Sequence, residues 1–289
     1  MRMTLRRGVA LFACLVLAGA LLTACGGGDD GVETSGRDTV TTTTRADATT
    51  TGPPATTPSA TVASDAPGVD LDVTFLRDGK VATAHRRVPP TQAVARAALT
   101  QLIAGPDTTD RAAGLTTVIR PETTIAGLDV ANGVATVTLS PDIGRGYNDV
   151  TAEQATAQVV YTLTQFPTIQ KVRIGTTGTP LSRDDLRDVT PLIFLESVAP
   201  GDTVSSPVTV AGESNTFEAT VRIRVLGADG SVLADTFTTA TSGTGTWGTF
   251  GVNVPFARGA NATGKVVVFE DSPKDGSMVN VVEVPVRFS

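Results

Sequence analysis

The stretch TAEQATAQVVYTLTQFPTIQKVRI, Thr151 to Ile174, decides the fold. Its first half places Ala152, Ala155, Val159 and Leu163 at helical spacing, and Thr151-Ala-Glu-Gln154 fits a capping box that would satisfy orphan backbone N–H groups at a helix start. The spacing predicts a helix from Thr151 to about Phe166, where Pro167 stops it. Ile169 to Ile174 then changes to period two, with Val172 and Ile174 inward and Lys171 and Arg173 outward. A helix handed over to a strand within a few residues is half of an α/β unit.

Upstream, Thr124 to Val130 and Val134 to Leu139 read as two strands joined through Asn132-Gly133, a pair suited to the positive φ angles of a tight hairpin. Ala135, Val137 and Leu139 share one face. Before them, Val69 to Phe75 and Lys80 to Val88 form a second hairpin around Asp78-Gly79. Pro89-Pro90-Thr91 then opens a helix with Ala95, Leu99, Leu102 and Ile103 on one side, closed by Gly105-Pro106. The order ββαββαβ predicts two helices on one face of a mixed sheet, a two-layer α/β sandwich over residues 69–190.

From Pro191 the helical period vanishes. Apolar runs recur at Leu192–Val198, Val208–Ala211, Phe217–Leu226, Val232–Phe237, Trp247–Val254, Lys265–Phe269 and Met278–Phe288, separated by turns such as Asp229-Gly230 and Asp275-Gly276. Short strands at this density predict an immunoglobulin-like β-sandwich over residues 191–289. Phe217 and Trp247 are expected in its core.

The N-terminal side reads differently. Arg2, Arg6 and Arg7 precede an apolar run from Gly8 to Leu22, and Leu22-Thr-Ala-Cys25 resembles a bacterial lipobox. The expectation is a lipoprotein signal peptide over residues 1–24, cleavage after Ala24, and lipid attachment at Cys25. Gly26 to Gly68 is Thr-rich and contains no Leu, Ile or aromatic residue, so residues 25–68 read as a lipidated Cys followed by a disordered tether. Its coil reach would be roughly 35–40 Å.

Composition limits the chemistry. The 289 residues carry 23 Lys plus Arg against 29 Asp plus Glu, with one His, two Cys and one Trp. An acidic chain without a basic stripe argues against a nucleic-acid partner. One histidine, His85, provides no His pair for a metal, and no Gly-x-Ser-x-Gly elbow is present. His85, next to Arg86-Arg87, reads as a solvated strand end. Asp184, Asp185 and Asp188 are interleaved with Arg183 and Arg187 and predict local ion pairing, not a cation site. Asp271 to Ser277 lacks the ligand rhythm of a calcium loop, and Ile143-Gly-Arg-Gly146 before Tyr147 does not match a phosphate loop. A wall hydrolase would need two converging acids; Glu122, Glu153 and Glu196 are scattered in sequence. No catalytic, cofactor-binding or metal-binding residue is assigned.

Two segments resemble known families. Leu102-Ile-Ala-Gly-Pro106, Val137-Thr-Leu-Ser140 and Val160-Tyr-Thr-Leu-Thr-Gln-Phe-Pro167 leading to Lys171-Val-Arg-Ile174 resemble the GerM, or GerMN, sporulation and spore germination domain. Ser206-Pro-Val-Thr-Val210, Asn215-Thr-Phe-Glu-Ala-Thr220, Gly245-Thr-Trp-Gly248 and Ser272-Pro-Lys-Asp-Gly-Ser277 resemble the immunoglobulin-like domain that accompanies it in spore germination proteins. The GerM-type fold is similar to ring-building modules of sporulation channels, which implies assembly at an envelope and not catalysis. The expected function is a non-catalytic, lipid-anchored envelope protein on the extracytoplasmic membrane face. Its expected partners are the membrane through Cys25, other envelope proteins, and a second copy of itself through the α/β domain. A cell-wall-binding module is the alternative, and a hydrolase the third class.

Overall fold

The computed structural model describes residues 67–143 and 146–289. The signal segment, Ala24, Cys25 and the tether up to residue 66 lie outside the described residues. Among those described, no helix is long and apolar enough to cross a membrane.

The α/β part begins with the hairpin β1 (Val69–Arg77) and β2 (Lys80–Val88), followed by α1 (Val94–Ala104) and a short α2 (Thr108–Ala112). Next come β3 (Thr124–Ala131), β4 (Val134–Ser140), α3 (Asp149–Leu163) and β5 (Lys171–Ile174), then a 3₁₀ segment at Arg183–Val189. Both hairpin turns adopt the left-handed backbone that their sequences demand: Asp78 and Gly79 have φ of 51° and 76°, Asn132 and Gly133 52° and 77°. The architecture is α/β as expected, with α2 additional and the sheet divided. The strands form two sheets, a β1–β2 ribbon and a mixed β3–β4–β5 sheet in which β4 and β5 are parallel.

Helix α3 explains the division. Gln158 and Thr162 on one stripe of it, with Gln165 in the turn just past its end, hydrogen-bond the backbone edge of β1 that no other strand pairs. Thr162 Oγ1 accepts from Thr74 N at 3.0 Å, Gln158 Nε2 donates to Thr74 O at 3.3 Å, and Gln165 Oε1 accepts from Asp72 N at 2.9 Å. Side-chain amides and a hydroxyl thus take the place of a neighbouring strand. The helix is consequently buried beyond its Ala155, Val159 and Leu163 stripe, with Ala157, Val160 and Tyr161 also enclosed. Its cap lies three residues before the expected box. Asn148 accepts from Thr151 N at 2.8 Å, and Thr151 sits inside the first turn.

The all-β part contains β6 (Ile193–Leu195), β7 (Thr203–Val204), β8 (Val208–Ser214), β9 (Thr220–Gly227), β10 (Val232–Thr239), β11 (Gly248–Val254), β12 (Thr263–Asp271) and β13 (Met278–Phe288). They form a sheet ordered β10-β9-β12-β13-β7 facing one ordered β11-β8-β6. The seven expected strands are present, and the two-residue β7, which pairs parallel with β13, is additional. Val210, Val221, Ile223, Val225, Val266 and Val268 fill the space between the sheets. Gly212 permits the closest approach within the smaller sheet, since a Cβ there would lie 2.0 Å from Phe194 O.

Candidate functional site

One cluster of charged side chains lies where the two parts meet, and β6 builds that seam. Successive strand residues point to opposite sides. Ile193 and Leu195 enter the core of the sandwich, whereas Phe194 enters the core of the α/β part and meets the Tyr161 ring edge-on at 5.1 Å. A three-residue strand thereby belongs to two cores.

Charged groups reinforce it. Arg183 Nη1 donates to Glu196 Oε1 at 2.7 Å and to Glu213 Oε1 at 2.8 Å. Arg187 Nη1 donates to Glu213 Oε2 at 2.6 Å, and its guanidinium carbon lies 4.2 Å from the centre of the Trp247 ring. Arg183 also covers the Tyr161 ring at 4.9 Å. Burial raises the Glu196 carboxyl above its ordinary value, against the pull of Arg183. Farther along the seam, His85 Nδ1 is 2.8 Å from Asp202 Oδ2 and Nε2 is 2.9 Å from Glu196 O, with Asp72 Oδ1 at 3.5 Å from Nε2. Both close partners are acceptors, so both ring nitrogens are satisfied as donors only in the imidazolium. At this seam the acids face cations and the imidazole faces acceptors on both sides, an arrangement suited to joining two bodies.

The sequence comparisons match each body separately. Residues 72–182 match the family described as sporulation and spore germination, and residues 192–277 match the immunoglobulin-like domain of bacterial spore germination. The chain is a GerM-type domain joined to a spore-germination immunoglobulin-like domain. Both matched families are domains of sporulation and spore germination. Among solved structures, the first GerMN domain of the sporulation protein GerM from Bacillus subtilis shares 22% identity, with a TM-score of 0.32, over 39% of this chain and 94% of that one. The tandem GerMN domains of the same protein share 16% identity, with a TM-score of 0.33, over 65% of this chain and 62% of that one. No curated relative matches the chain.

Within this two-domain protein several sequence expectations change place. His85 is not a solvated strand end; it faces the immunoglobulin-like domain and is held there by Asp202. Arg187 does pair locally with Asp184 at 2.7 Å, but Arg183 and Arg187 direct their shortest contacts to Glu196 and Glu213 across the seam. Asp185 accepts from Ser182 N and Oγ, and the Asp188 carbonyl accepts from Lys80 Nζ. Neither Phe217 nor Trp247 is a sandwich-core residue. Phe217 is exposed, while Trp247 is half-buried beneath Arg187; Phe250 and Phe288 occupy the core instead. Tyr147 donates to Val118 O at 2.7 Å and lies under Arg120, so the ring belongs to the GerM-type domain's packing. The Asp271–Ser277 segment is a turn, in which Asp275 accepts from Ser277 N and Oγ and Gly276 has φ of 72°. Glu122 is exposed and Glu153 half-exposed, while Glu196 is taken up by Arg183. Sequence carries no signal for Glu213 and Asp202, because an acid on the outward side of a strand or in a turn looks the same whether water or a domain faces it.

His85 makes the joint pH-dependent. Burial alone would lower its pKa, but the hydrogen bond and charge of Asp202, the Glu196 carbonyl and Asp72 together raise it. A raised folded-state value means stabilisation that is complete below the ordinary histidine pKa and is lost as pH rises through the folded value. The thermal midpoint should therefore fall as pH rises above about 6.5. Since the chain has one His, His85→Gln should remove most of that slope in a melting series from acid to mildly alkaline pH.

Proposed function

We propose that the protein is a non-catalytic, lipid-anchored envelope protein in which the joined domains act as one assembly or interaction module. The observation that supports this most is the shared strand β6. Beside it, the cluster of Arg183, Arg187, Glu196 and Glu213 and the Tyr161–Phe194 contact join the two domains, leaving the outward faces for partners. Those faces include β10, an edge strand on which Val232 and Phe237 are each 59% exposed. Unpaired strand edges are common association surfaces. Cys25 would carry the lipid, and the segment to Gly68 would set the distance from the membrane. Stable anchoring requires more than one acyl chain, which a diacylglyceryl thioether supplies at about 0.8 kcal/mol per buried CH₂.

Crosslinking the lipidated protein in its native membrane and identifying the bound species tests the reading. Recovery of envelope proteins or of a second copy supports it. Cys25→Ala should move the protein from the membrane fraction to the soluble fraction, and retention that still requires detergent would argue against lipidation at that residue. A second reading, binding of a cell-wall polymer, is favoured by the exposed rings of Phe217 and Phe237. Saturable co-sedimentation with purified wall material, lost in Phe237→Ala, would support that reading over the first.

A further inference from the structure

The mixed β3–β4–β5 sheet of the GerM-type domain turns Ala135, Val137, Leu139 and Val172 into the core. The residues between them point to the opposite side. One row across that side reads Asp129 on β3, Thr136 on β4 and Arg173 on β5. The rows next to it hold Gly127 with Thr138, and Val134 with Lys171. Asp129 and Lys171 are exposed, and Thr136 and Thr138 are half-buried between their neighbouring strands. This side is therefore small and flat in the middle and charged at its margins.

The charges are segregated by sign, with the acid on β3 and both bases on β5. Adjacent strands lie about 4.8 Å apart, so β3 and β5 are separated by about 10 Å. Among the described residues neither Asp129 nor Lys171 makes a side-chain hydrogen bond or salt bridge, and Arg173 commits only Nε, to Gly178 O at 3.0 Å. Opposite charges that do not meet within one copy become complementary when a second copy is turned over. A two-fold axis parallel to β4, between two such faces, lays β3 of each copy over β5 of the other and keeps the rows in step. Asp129 then lies over Arg173 of the second copy, twice by symmetry, and Thr136 lies on the axis against its own counterpart. Sheets pack face to face about 10 Å apart with their strands within about 30° of alignment, which this axis satisfies. Gly127, Thr136 and Thr138 are short enough not to hold the faces apart.

We propose that this face joins two copies of the chain, sheet against sheet, through reciprocal Asp129–Arg173 ion pairs. The inference rests on the assembly role and gives it a partner and a surface. The face is three strands wide and about five residues long, about 250 Å² on each copy. A standard stable interface takes roughly 800 Å² from each partner. The dimer is therefore weak in free solution and forms where a membrane anchor concentrates the chain.

The test uses the full chain in its native membrane, carrying Thr136→Cys and treated with a short bismaleimide. A crosslinked dimer is expected above the background set by the unsubstituted chain and by Val150→Cys, a position 62% exposed in the first turn of α3. Adding Asp129→Arg or Arg173→Asp to every copy sets like charges opposite each other and should cut the dimer by about tenfold. Producing the two swapped chains together should restore it, because each then meets the charge it requires; chains that had failed to fold would show no such recovery. A dimer no stronger than background, single swaps without effect, no recovery in the mixture, or a Thr136→Cys crosslink to a different protein alone would overturn the proposal. Envelope proteins captured elsewhere on the chain, with no dimer through this face, would remove the dimer and leave the assembly role standing.

Discussion

Glu213→Ala is expected to destabilise the folded body by about 3 kcal/mol, because it withdraws one carboxylate from two guanidinium groups at once. Glu213 is 14% exposed and accepts from both Arg183 and Arg187. Without it Arg183 retains Glu196, while Arg187 retains only Asp184, which is 81% exposed and therefore screened. Removing one member of a buried ion pair commonly costs about 3–5 kcal/mol, and the surviving partners place this case at the lower end. For a body of this size that is a fall in thermal midpoint of roughly 6–12 °C. Scanning calorimetry provides the check, with Glu283→Ala as the contrast. Its pair with Lys265 is half-exposed on both sides, and such a pair is worth at most about 1 kcal/mol. Equal midpoints for the two variants would remove the seam from the account of stability.

Tyr161→Ala should cost more, about 3–5 kcal/mol, since it deletes a large, fully buried side chain and leaves a cavity. The ring meets Phe194 edge-on, supports Arg183, and places its hydroxyl 2.6 Å from Thr190 Oγ1. Tyr161→Phe separates these contributions. Thr190 Oγ1 already donates to Leu186 O at 2.9 Å, so it is an acceptor toward the tyrosine, and Arg187 Nη1, which also donates to that hydroxyl at 3.4 Å, keeps its shorter bond to Glu213. A loss of about 1 kcal/mol is then expected. Urea denaturation of both variants measures the difference. Similar losses would mean that the hydroxyl, and not the ring, carries the anchoring.

These two residues also mark how far the sequence can be read. The hairpins at Asp78-Gly79 and Asn132-Gly133 were legible because their requirement is local: two consecutive residues must tolerate positive φ. The valine-rich strands of the immunoglobulin-like domain were legible from alternation. The cap of α3 was misplaced because Asn148 and Thr151 both qualify within one turn, and only the path of the loop decides between them. Helix α2 is not legible from pattern, since its capping box uses Asp110 where the usual one has Glu or Gln. Gln158, Thr162 and Gln165 are polar and carry no sequence signal of what they face. Nothing short of the three-dimensional arrangement reveals that a strand edge, not water, faces them. The same holds for His85, Glu196 and Glu213, whose partners are 117, 13 and 30 residues away.

The placement of Trp247 gives the protein an optical gauge of its own. It is the only tryptophan in the chain, and it lies under Arg187 at the boundary between the domains. Its emission therefore reports on that boundary without labelling. Loosening of the joint would hydrate the indole and shift its fluorescence to longer wavelength even while each domain kept its secondary structure, so separation of the domains and their unfolding would be spectroscopically distinct events.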